Sequence, residues 1–568
     1  MAERSTVPAT EAVSNRIRAL FQEHGDFIML LVLFAAFRVM AVLFFRPGGY
    51  IRDWSDFTVY MGTAGLSDEG HYPSIHYWLE YPPLFPWLYT GLYRLSLLIP
   101  PWMEDPRLWF YALLSLVLTL FEIGNFVLVY ATALLVRDQG KAFRTAAFYA
   151  ALFVPIFVLT TLFDAIPLFF MLLGLYLMLK DRAGTSGIAL GIGFVLKITP
   201  IILLPVAVRK LTTLPQRVRH VLGAVLCILV LSLPFLYLDS HLYLMPFRSA
   251  LGRSSWETLW AVAEGYFSFG TVGGSRFDRT VADFSTHPQT LPWLLISLAF
   301  GLIYLWFYTR PVDYRDRSKV LGLATFTVAL FMLYSKGYSP QFLVYLLPFI
   351  LLCCLSWRGI AYAVGLSLLN FLEQPVYFVL FPDQRAFFVG ILVFRTLLIS
   401  GVAIEGLLTM LSQPGQTHKT WSRALAIGMA ALLVWTIWSG VTLSQAYYDA
   451  RYQSEPYRVS MTYLKEEAQA GNGTGVLLTD SATYRRVYPF LHQALDLRVA
   501  ATGRPAWQDD LRDWTTARQS FWLWRGERTD PDLEAWLDQN ARLVKSQPFD
   551  WGTLFLLAMK EKPENPSK

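Results

Sequence analysis

The sequence predicts a polytopic α-helical membrane protein with a small α/β domain at its C-terminal end. Of the 568 residues, 54% are hydrophobic and only 16% are charged, and the mean hydropathy is +0.39. Charge is therefore too sparse to solvate a soluble protein of this size. Apolar runs long enough to cross a bilayer recur from residue 27 to residue 443, and the remaining residues are polar with short apolar runs.

The N-terminal segment, residues 1–26, is polar and is predicted to lie in the cytoplasm. Residues 27–45 form an apolar run of 19 residues, long enough to cross about 30 Å of hydrocarbon. Because no small-residue cleavage site follows, we expect an uncleaved membrane anchor rather than a signal peptide.

Lysine and arginine recur in alternate loops, which the positive-inside rule places in the cytoplasm. This accounts for the net charge of +6 without nucleic acid as a partner. The alternation predicts twelve or thirteen spans in a transmembrane domain at residues 27–443, with large outer loops at 46–107 and 239–290. The basic residues are Arg137, Lys141, Arg144, Lys180, Arg182, Arg209, Lys210, Arg217, Arg219, Arg310, Arg315, Arg317, Lys319, Arg358, Lys419 and Arg423.

Charged residues also occur inside predicted spans. Lys197 and Pro200 interrupt residues 187–208, which predicts two short helices with a turn near Lys197. Such a break is tolerated only where it lines a cavity or is buried in protein. Arg38 and Glu122 lie at comparable depths in the first two spans, so we expect an intramembrane ion pair between them.

Residues 444–568 are predicted to form an extracytoplasmic α/β domain, because the last span ends on the side of the large loops. Residues 476–479, 497–500 and 521–524 are typical of buried strands. Helical patterns occupy residues 483–492, 509–518 and 532–544.

Cysteine and histidine offer no metal site. Cys227, Cys353 and Cys354 all lie in apolar runs, which argues against a disulfide framework. His71 and His76 are five residues apart, unlike the zinc-binding pair of an HExxH helix. We expect no cofactor and no structural zinc, and leave open a loosely bound divalent cation beside the carboxylates of the first outer loop.

Those carboxylates are concentrated in residues 50–60 and 80–84, together with tyrosine and tryptophan. A simple connector between two helices does not require them. On a helix, Asp53 and Asp56 would share a face and could point to one site. The alternative is that both cap a short helix, and Glu80 could equally be a surface charge before a rigid Pro-Pro turn.

Five short motifs together resemble the GT-C superfamily of integral-membrane glycosyltransferases, and most closely glycosyltransferase family 87 and related mannosyltransferase-like proteins. The resemblance covers residues 27–410. The motifs are Asp56-x-x-x-Tyr60, Glu80-Tyr81-Pro82-Pro83-Leu84, Phe163-Asp164-Ala165, Leu196-Lys197-Ile198-Thr199-Pro200 and Ser335-Lys336-Gly337-Tyr338-Ser339-Pro340-Gln341-Phe342.

The resemblance implies transfer of a sugar from a polyprenyl-phosphate donor to a glycan, glycolipid or protein acceptor, with inversion, on the extracytoplasmic face of the plasma (inner) membrane. The family's essential acidic residue maps onto Asp56, or onto Asp53 where members carry a paired motif. The spacing here is Asp-x-x-Asp rather than Asp-x-Asp, which leaves open which of the two is the base.

The chemistry of that reaction requires one base and a cationic clamp. A carboxylate must take the proton of the acceptor hydroxyl, whereas a lipid-phosphate leaving group needs only stabilisation of its charge. Candidate phosphate ligands are Lys336, Arg276, Arg253 and Arg248. Lys197 would pair with donor phosphate or with Asp164. Glu80, Asp164, Tyr60 and Tyr81 are candidates for binding the acceptor or supporting the site.

The alternative function is a flippase or transporter of lipid-linked sugars. Transporters often contain structural repeats with charged sites at the membrane midplane. The two halves of this sequence show no clear self-similarity, and its polar residues are concentrated in the outer loops, which favours an enzyme.

Overall fold

The structure is a computed structural model that describes residues 9–44, 56–100, 107–412, 418–452, 455–500, 502, 507–525 and 530–560. The chain divides into two compact units, Met1–Val434 and Trp435–Lys568.

Helices form the first unit. They are α1 (Ala9–Phe44), α2 (Phe57–Gly65), α3 (Leu84–Ser96), α4 (Arg107–Leu134), α5 (Gln139–Ala151), α6 (Val154–Thr161), α7 (Ala165–Leu179), α8 (Ala183–Leu196), α9 (Leu204–Lys210), α10 (Leu214–Gly252), α11 (Leu259–Ala263), α12 (Trp293–Tyr308), α13 (Arg317–Tyr334), α14 (Leu343–Cys353), α15 (Trp357–Phe371) and α16 (Arg385–Leu411). Helix α17 (Lys419–Tyr452) continues into the second unit.

Six helical segments of the described chain are long and apolar enough to cross a membrane: Leu20–Val42, Leu108–Leu134, Leu214–Gly252, Arg317–Tyr334, Arg385–Leu411 and Lys419–Ser444. Four shorter apolar helices are Ala165–Leu179, Ala183–Leu196, Trp293–Tyr308 and Pro340–Cys353. Large apolar side chains such as Leu298, Leu302 and Trp306 lie exposed along α12, as lipid contact requires. The chain is therefore an integral membrane protein, and the total of twelve or thirteen spans stays a prediction.

Glycines bring pairs of helices into close contact. A Cβ atom built on Gly187 of α8 would lie 2.0 Å from the carbonyl oxygen of His220 in α10, and one on Gly191 would lie 2.8 Å from that of Ala224. Small residues allow such backbone contact between membrane helices, where packing rather than the hydrophobic effect drives association.

The predicted ion pair between α1 and α4 is confirmed. Nη2 of Arg38 lies 3.4 Å from Oε1 of Glu122, and both side chains are 1% exposed. The hydroxyl of Tyr149 and the amide of Asn125 also donate to the Glu122 carboxylate. Each buried charge thus has an opposite charge beside it, as an apolar environment demands.

The predicted break near Lys197 is also confirmed. Helix α8 ends at Leu196, Lys197 is extended, and a 3-10 turn at Thr199–Leu203 leads into α9. Lys197 thus lies between the two helices, where its side chain contacts Asp164.

A five-stranded sheet forms the core of the second unit, in the order β2-β1-β3-β5-β4. Strands β1, β2 and β3 are parallel, whereas β5 pairs antiparallel with β3 and β4. Its elements are α18 (Glu455–Gln469), β1 (Gly475–Leu478), α19 (Ser481–Leu491), β2 (Asp496–Val499), α20 (Trp507–Thr516), β3 (Phe521–Trp524), α21 (Pro531–Asn540), β4 (Ala541–Phe549) and β5 (Gly552–Met559).

Helices cover both faces of this sheet. Val476 and Leu478 pack with residues of α18 and α19 on one face, while Leu477 packs with residues of α20 and α21 on the other. The helix predicted at residues 532–544 ends at Asn540, and the hairpin of β4 and β5 follows. Strand β4 has the burial pattern of an edge strand, with Leu543 and Val544 exposed, so it lacks the apolar alternation that would have identified it.

Candidate active site

Asp56 lies at the start of α2. It is the N-cap residue of that helix, yet its side chain caps no backbone N–H. Oδ2 instead accepts a hydrogen bond of 3.2 Å from the hydroxyl of Tyr60, whose ring packs against Phe85 and Phe163. Burial raises the pKa of the Asp56 carboxyl to about 6, and the charge of Glu80 adds to the rise. Asp53, the alternative base, lies outside the described residues.

Asp164 precedes α7 and is fully buried. Its Oδ1 accepts hydrogen bonds from the ammonium of Lys197 and, at 2.7 Å, from the hydroxyl of Tyr345. The ammonium also faces the rings of Phe342 and Phe163, at 4.8 and 5.2 Å from their centroids, a geometry that stabilises a cation away from water. Lys197 was predicted to pair with the donor phosphate or with Asp164. In the structure it pairs with Asp164.

Glu80 forms an ion pair with Arg276 of the second large outer loop. The Arg276 guanidinium lies 4.3 Å from the ring centroid of Trp78. Trp78 in turn donates from its backbone to the carbonyl of Arg276 and from its indole to that of Ser275. These contacts join the two outer loops across nearly 200 residues of sequence, with a separation of 196 between Arg276 and Glu80.

Arg253 follows the last residue of α10, and its guanidinium lies 3.2 Å from the ring centroid of Trp256. Among the described residues it has no ion-pair partner within 4 Å, and its buried Nε has no hydrogen-bond partner. Burial lowers the pKa of Arg253 to about 10, although the charge of Glu80 opposes the change. The guanidinium therefore remains charged at neutral pH.

Tyr81 connects these groups electrostatically. Burial raises its pKa well above the usual value for tyrosine, the negative charges of Asp56, Glu80 and Asp164 raise it further, and the positive charge of Arg253 lowers it. All four charged groups therefore lie within electrostatic reach of one hydroxyl. The three carboxylates come from different stretches of sequence, which the fold brings to one place.

Lys336 and Arg248, the other two predicted phosphate ligands, do not share the surroundings of Arg253 and Arg276. The ammonium of Lys336 donates to the carbonyl oxygens of Leu251 and Arg253, at 2.8 and 3.4 Å, and to the side chain of Gln289 at 2.8 Å. It thus binds the backbone at the end of α10. Arg248 is exposed on α10, one turn earlier.

A second buried group of charges fixes the segment after Arg253. Arg395 of α16 donates to the carboxylate of Glu373 and to the backbone carbonyl of Glu257, and its guanidinium lies 3.9 Å from the ring centroid of Tyr338. The segment that carries Arg253 and Trp256 is therefore attached to α16 as well as to Lys336.

Eight of the predicted site residues meet in or around this cluster: Asp56, Tyr60, Glu80, Tyr81, Asp164, Lys197, Arg253 and Arg276. Sequence reasoning gave no role to Tyr345. Its position in an apolar helix was a usable signal, because a buried tyrosine hydroxyl usually has a partner. Trp256 lies in the predicted outer loop at 239–290, and sequence reasoning assigned no specific role to it.

The described residues contain no group of three His, Cys, Asp or Glu side chains arranged to hold a metal ion. His76 accepts a hydrogen bond of 2.9 Å through Nδ1 from the backbone of Tyr72. The cluster thus contains a carboxylate with a raised pKa, a guanidinium that has no carboxylate partner among the described residues, and an ion pair between Lys197 and Asp164.

Comparisons with known proteins give the following result. No protein-family model and no curated protein matches the chain. Among solved structures, it is similar to ArnT from Cupriavidus metallidurans bound to undecaprenyl phosphate, with 15% identity, coverage of 94% of this chain and 98% of that one, and a TM-score of 0.39. For the same protein in the apo state the values are 14%, 94%, 97% and 0.37.

The chain is also similar to the apo oligosaccharyltransferase of Archaeoglobus fulgidus, with 11% identity, coverage of 84% of this chain and 64% of that one, and a TM-score of 0.34. Similarity of this degree assigns no function.

Proposed function

We propose that this protein is a membrane glycosyltransferase of the GT-C type, which moves a hexose, such as mannose, from a polyprenyl-phosphate donor to a glycan, glycolipid or protein acceptor. One observation carries the proposal. Among the described residues, neither the carboxylate of Asp56, which accepts a hydrogen bond from Tyr60, nor the guanidinium of Arg253, which lies over the ring of Trp256, has an ion-pair partner within 4 Å. A base and an anion ligand are the two groups that this reaction needs.

Asp56 is the proposed general base. A carboxyl with a pKa of about 6 is mostly ionised at neutral pH, yet it is a stronger base than an ordinary aspartate. It takes the proton of the acceptor hydroxyl as that oxygen attacks the anomeric carbon from the side opposite the phosphate, which inverts the configuration. Tyr60 holds the carboxylate in place through its 3.2 Å hydrogen bond.

Arg253 and Arg276 are the proposed ligands of the donor phosphate. The buried Nη1 of Arg276 has no hydrogen-bond partner among the described residues, although its Nη2 is paired with Glu80. The leaving phosphate carries its own negative charge, so stabilisation by guanidinium groups is sufficient and no general acid is required. Lys336 supports this site from the backbone side of Arg253, and Lys197 is compensated by Asp164.

The site belongs on the extracytoplasmic side under this proposal, because the basic loops take the cytoplasmic side. The transmembrane domain then spans residues 27–443, residues 1–26 are cytoplasmic, and the α/β domain at 444–568 faces the same side as the site. In this arrangement the polyprenyl chain of the donor lies in the bilayer, and its phosphate lies at the level of the outer loops.

The experiment is sugar transfer in membranes from a panel of radiolabelled polyprenyl-phosphate sugars, with Asp56→Asn compared at equal expression. We expect a loss of about 100-fold or more, the scale of a lost general base. The matched control is Asp68→Asn. Asp68 also accepts a hydrogen bond from a tyrosine, Tyr93, in the same outer loop, but it lies outside the cluster, so transfer should be unchanged.

Equal transfer by wild type and Asp56→Asn would remove the base from Asp56. No transfer by wild type from any donor, with lipid-linked sugar still crossing the bilayer, would favour a flippase instead.

A further inference from the structure

Within the described parts of the chain, the guanidinium of Arg253 is fixed by an aromatic ring rather than by a carboxylate. Its Cζ lies 3.2 Å from the ring centroid of Trp256, three residues along the chain. Stacking on the ring face leaves the edge of the guanidinium, with its N–H donors, free for another ligand. A carboxylate in the place of the indole would compete with any anion for those donors.

Trp256 itself is tightly held. A Cβ atom on Gly337 would lie 2.0 Å from its ring, and one on Gly270 would lie 2.5 Å from it. The indole Nε1 donates to Oγ of Ser339 at 2.9 Å, and the tryptophan is only 7% exposed. The ring therefore occupies a slot that exists only because both of these neighbours are glycines.

The backbone of Trp256 is held as well. Its N–H donates to the carbonyl of Lys336 at 3.2 Å, and its carbonyl accepts from the N–H of Tyr338 at 3.1 Å. Lys336 also donates to the carbonyl of Arg253. Residues 336–339, part of a motif noted in the sequence, thus build the support for the indole.

We propose that Trp256 is a positioning residue that orients the Arg253 guanidinium for a phosphate monoester or diester headgroup, with Gly270 and Gly337 providing the slot. The inference rests on the proposed function, because it assumes that Arg253 binds the donor phosphate. A long arginine side chain loses considerable rotamer entropy when it binds a ligand. A stacked guanidinium has lost part of that entropy in advance, so it binds an anion more tightly.

The test uses the purified full chain in nanodiscs and the binding of farnesyl monophosphate, with farnesol as the uncharged probe. Arg253→Ala, Trp256→Leu and the double variant are compared with wild type. We expect each single variant to weaken farnesyl monophosphate binding about tenfold and to leave farnesol binding unchanged. In the double variant the tryptophan substitution should add less than twofold, because its effect passes through Arg253.

Trp256→Phe keeps a ring face and is expected to lose only about threefold, which provides a readout if Trp256→Leu does not fold. The matched control is Trp306→Leu. Trp306 also stacks with an arginine, Arg310 at 4.3 Å, but is exposed on α12. Its substitution should change the binding of neither farnesyl monophosphate nor farnesol.

Additive losses in the double variant, or equal losses for farnesol, would overturn the positioning role while leaving the proposed function in place. Normal binding of farnesyl monophosphate by Arg253→Ala would overturn it as well and remove Arg253 from phosphate binding. The transfer assay with Asp56→Asn still tests the proposed function independently.

Discussion

Asp56 and Lys197 are both charged side chains in largely apolar surroundings, but their charges are balanced differently. Lys197 has a full counter-charge in Asp164 and a set of aromatic rings around its ammonium. Among the described residues, Asp56 accepts a hydrogen bond only from the hydroxyl of Tyr60, and it lies near two further carboxylates as well as the charge of Lys197. An uncompensated group of this kind is a better candidate for reacting with a substrate, because ionising it costs free energy that a stable pair does not require.

The raised pKa of Asp56 predicts a pH dependence of transfer. Because the base must be ionised, kcat/KM for sugar transfer should fall about tenfold per unit as the pH drops below about 6, and should level off above it. The measurement is kcat/KM between pH 5 and pH 8 in nanodiscs. The residual activity of Asp56→Asn should not fall in this way at low pH, whereas that of Asp68→Asn should. If the fall persists in Asp56→Asn, another group causes the pH dependence.

At the residue scale, the sequence was informative where a charge lay in an apolar context. Asp164 and Lys197 could be singled out, and even paired, because each is costly to bury alone. The contacts of Lys336 could not be predicted, since its acceptors belong to residues up to 85 positions away. A lysine near a proposed phosphate site is a reasonable phosphate ligand on sequence grounds, and only the fold brings carbonyl oxygens to it.

At the scale of elements, glycines decide how closely helices approach. The contacts of α8 with α10 are matched by those of α13 with α16, where a Cβ atom on Gly322 would lie 2.7 Å from the carbonyl oxygen of Gly406. Helix α12 differs, because Gly301 has open space around its Cβ position. Close packing thus holds α8 and the break that follows it in the position that aims Lys197 at Asp164.

We therefore expect Gly187→Ala to destabilise the protein by about 1–3 kcal/mol through overpacking, because the new methyl group would meet the backbone of α10. Gly301→Ala, the matched control on a lipid-facing helix, should be neutral or slightly stabilising through its higher helix propensity. Thermal unfolding in detergent measures both. An unchanged Tm for Gly187→Ala would show that α8 and α10 can separate at no cost.

Periodicity identified most elements of the second unit, but neither α18 nor the hairpin of β4 and β5. Strands β1, β2 and β3 were found within one residue, and β1 and β3 are buried as predicted. Strand β2 is half-exposed rather than buried, because it lies at the edge of the sheet. Strand β4 has mostly exposed side chains and begins directly after α21, so residues 541–544 fitted a continued helix. Its identity as a strand depends on pairing with β5, a contact that sequence pattern alone does not contain.

At the scale of the whole molecule, arginines assigned to the cytoplasmic side also bind helix ends. Arg137 donates to the carbonyl oxygens of Leu351 and Leu352 near the end of α14, and Arg317 donates to that of Leu135 just after α4. Such carbonyls have no partner within their own helix, and a cation there complements the helix dipole. The residues that predict topology thus also tie the spans together.

The buried pair of α1 and α4 should dominate the stability of this part of the protein. Arg38→Met or Glu122→Gln alone leaves an uncompensated polar group and is expected to cost about 3–5 kcal/mol. The double variant should recover most of that loss, since no lone charge remains. The exposed pair Arg94 and Asp68 is the control, and Arg94→Met should cost less than about 1 kcal/mol. Equal, additive losses in the double variant would contradict the pairing.

The attachment of the Arg253 segment has a consequence for biosynthesis. Arg395 lies 138 residues after Glu257, which corresponds to on the order of ten seconds of translation at ~5–20 residues per second. Until α13 and α16 have left the ribosome and entered the bilayer, the nascent chain contains Arg253 without the slot that holds Trp256. We therefore expect the anion site to form late, after most of the membrane unit has been inserted.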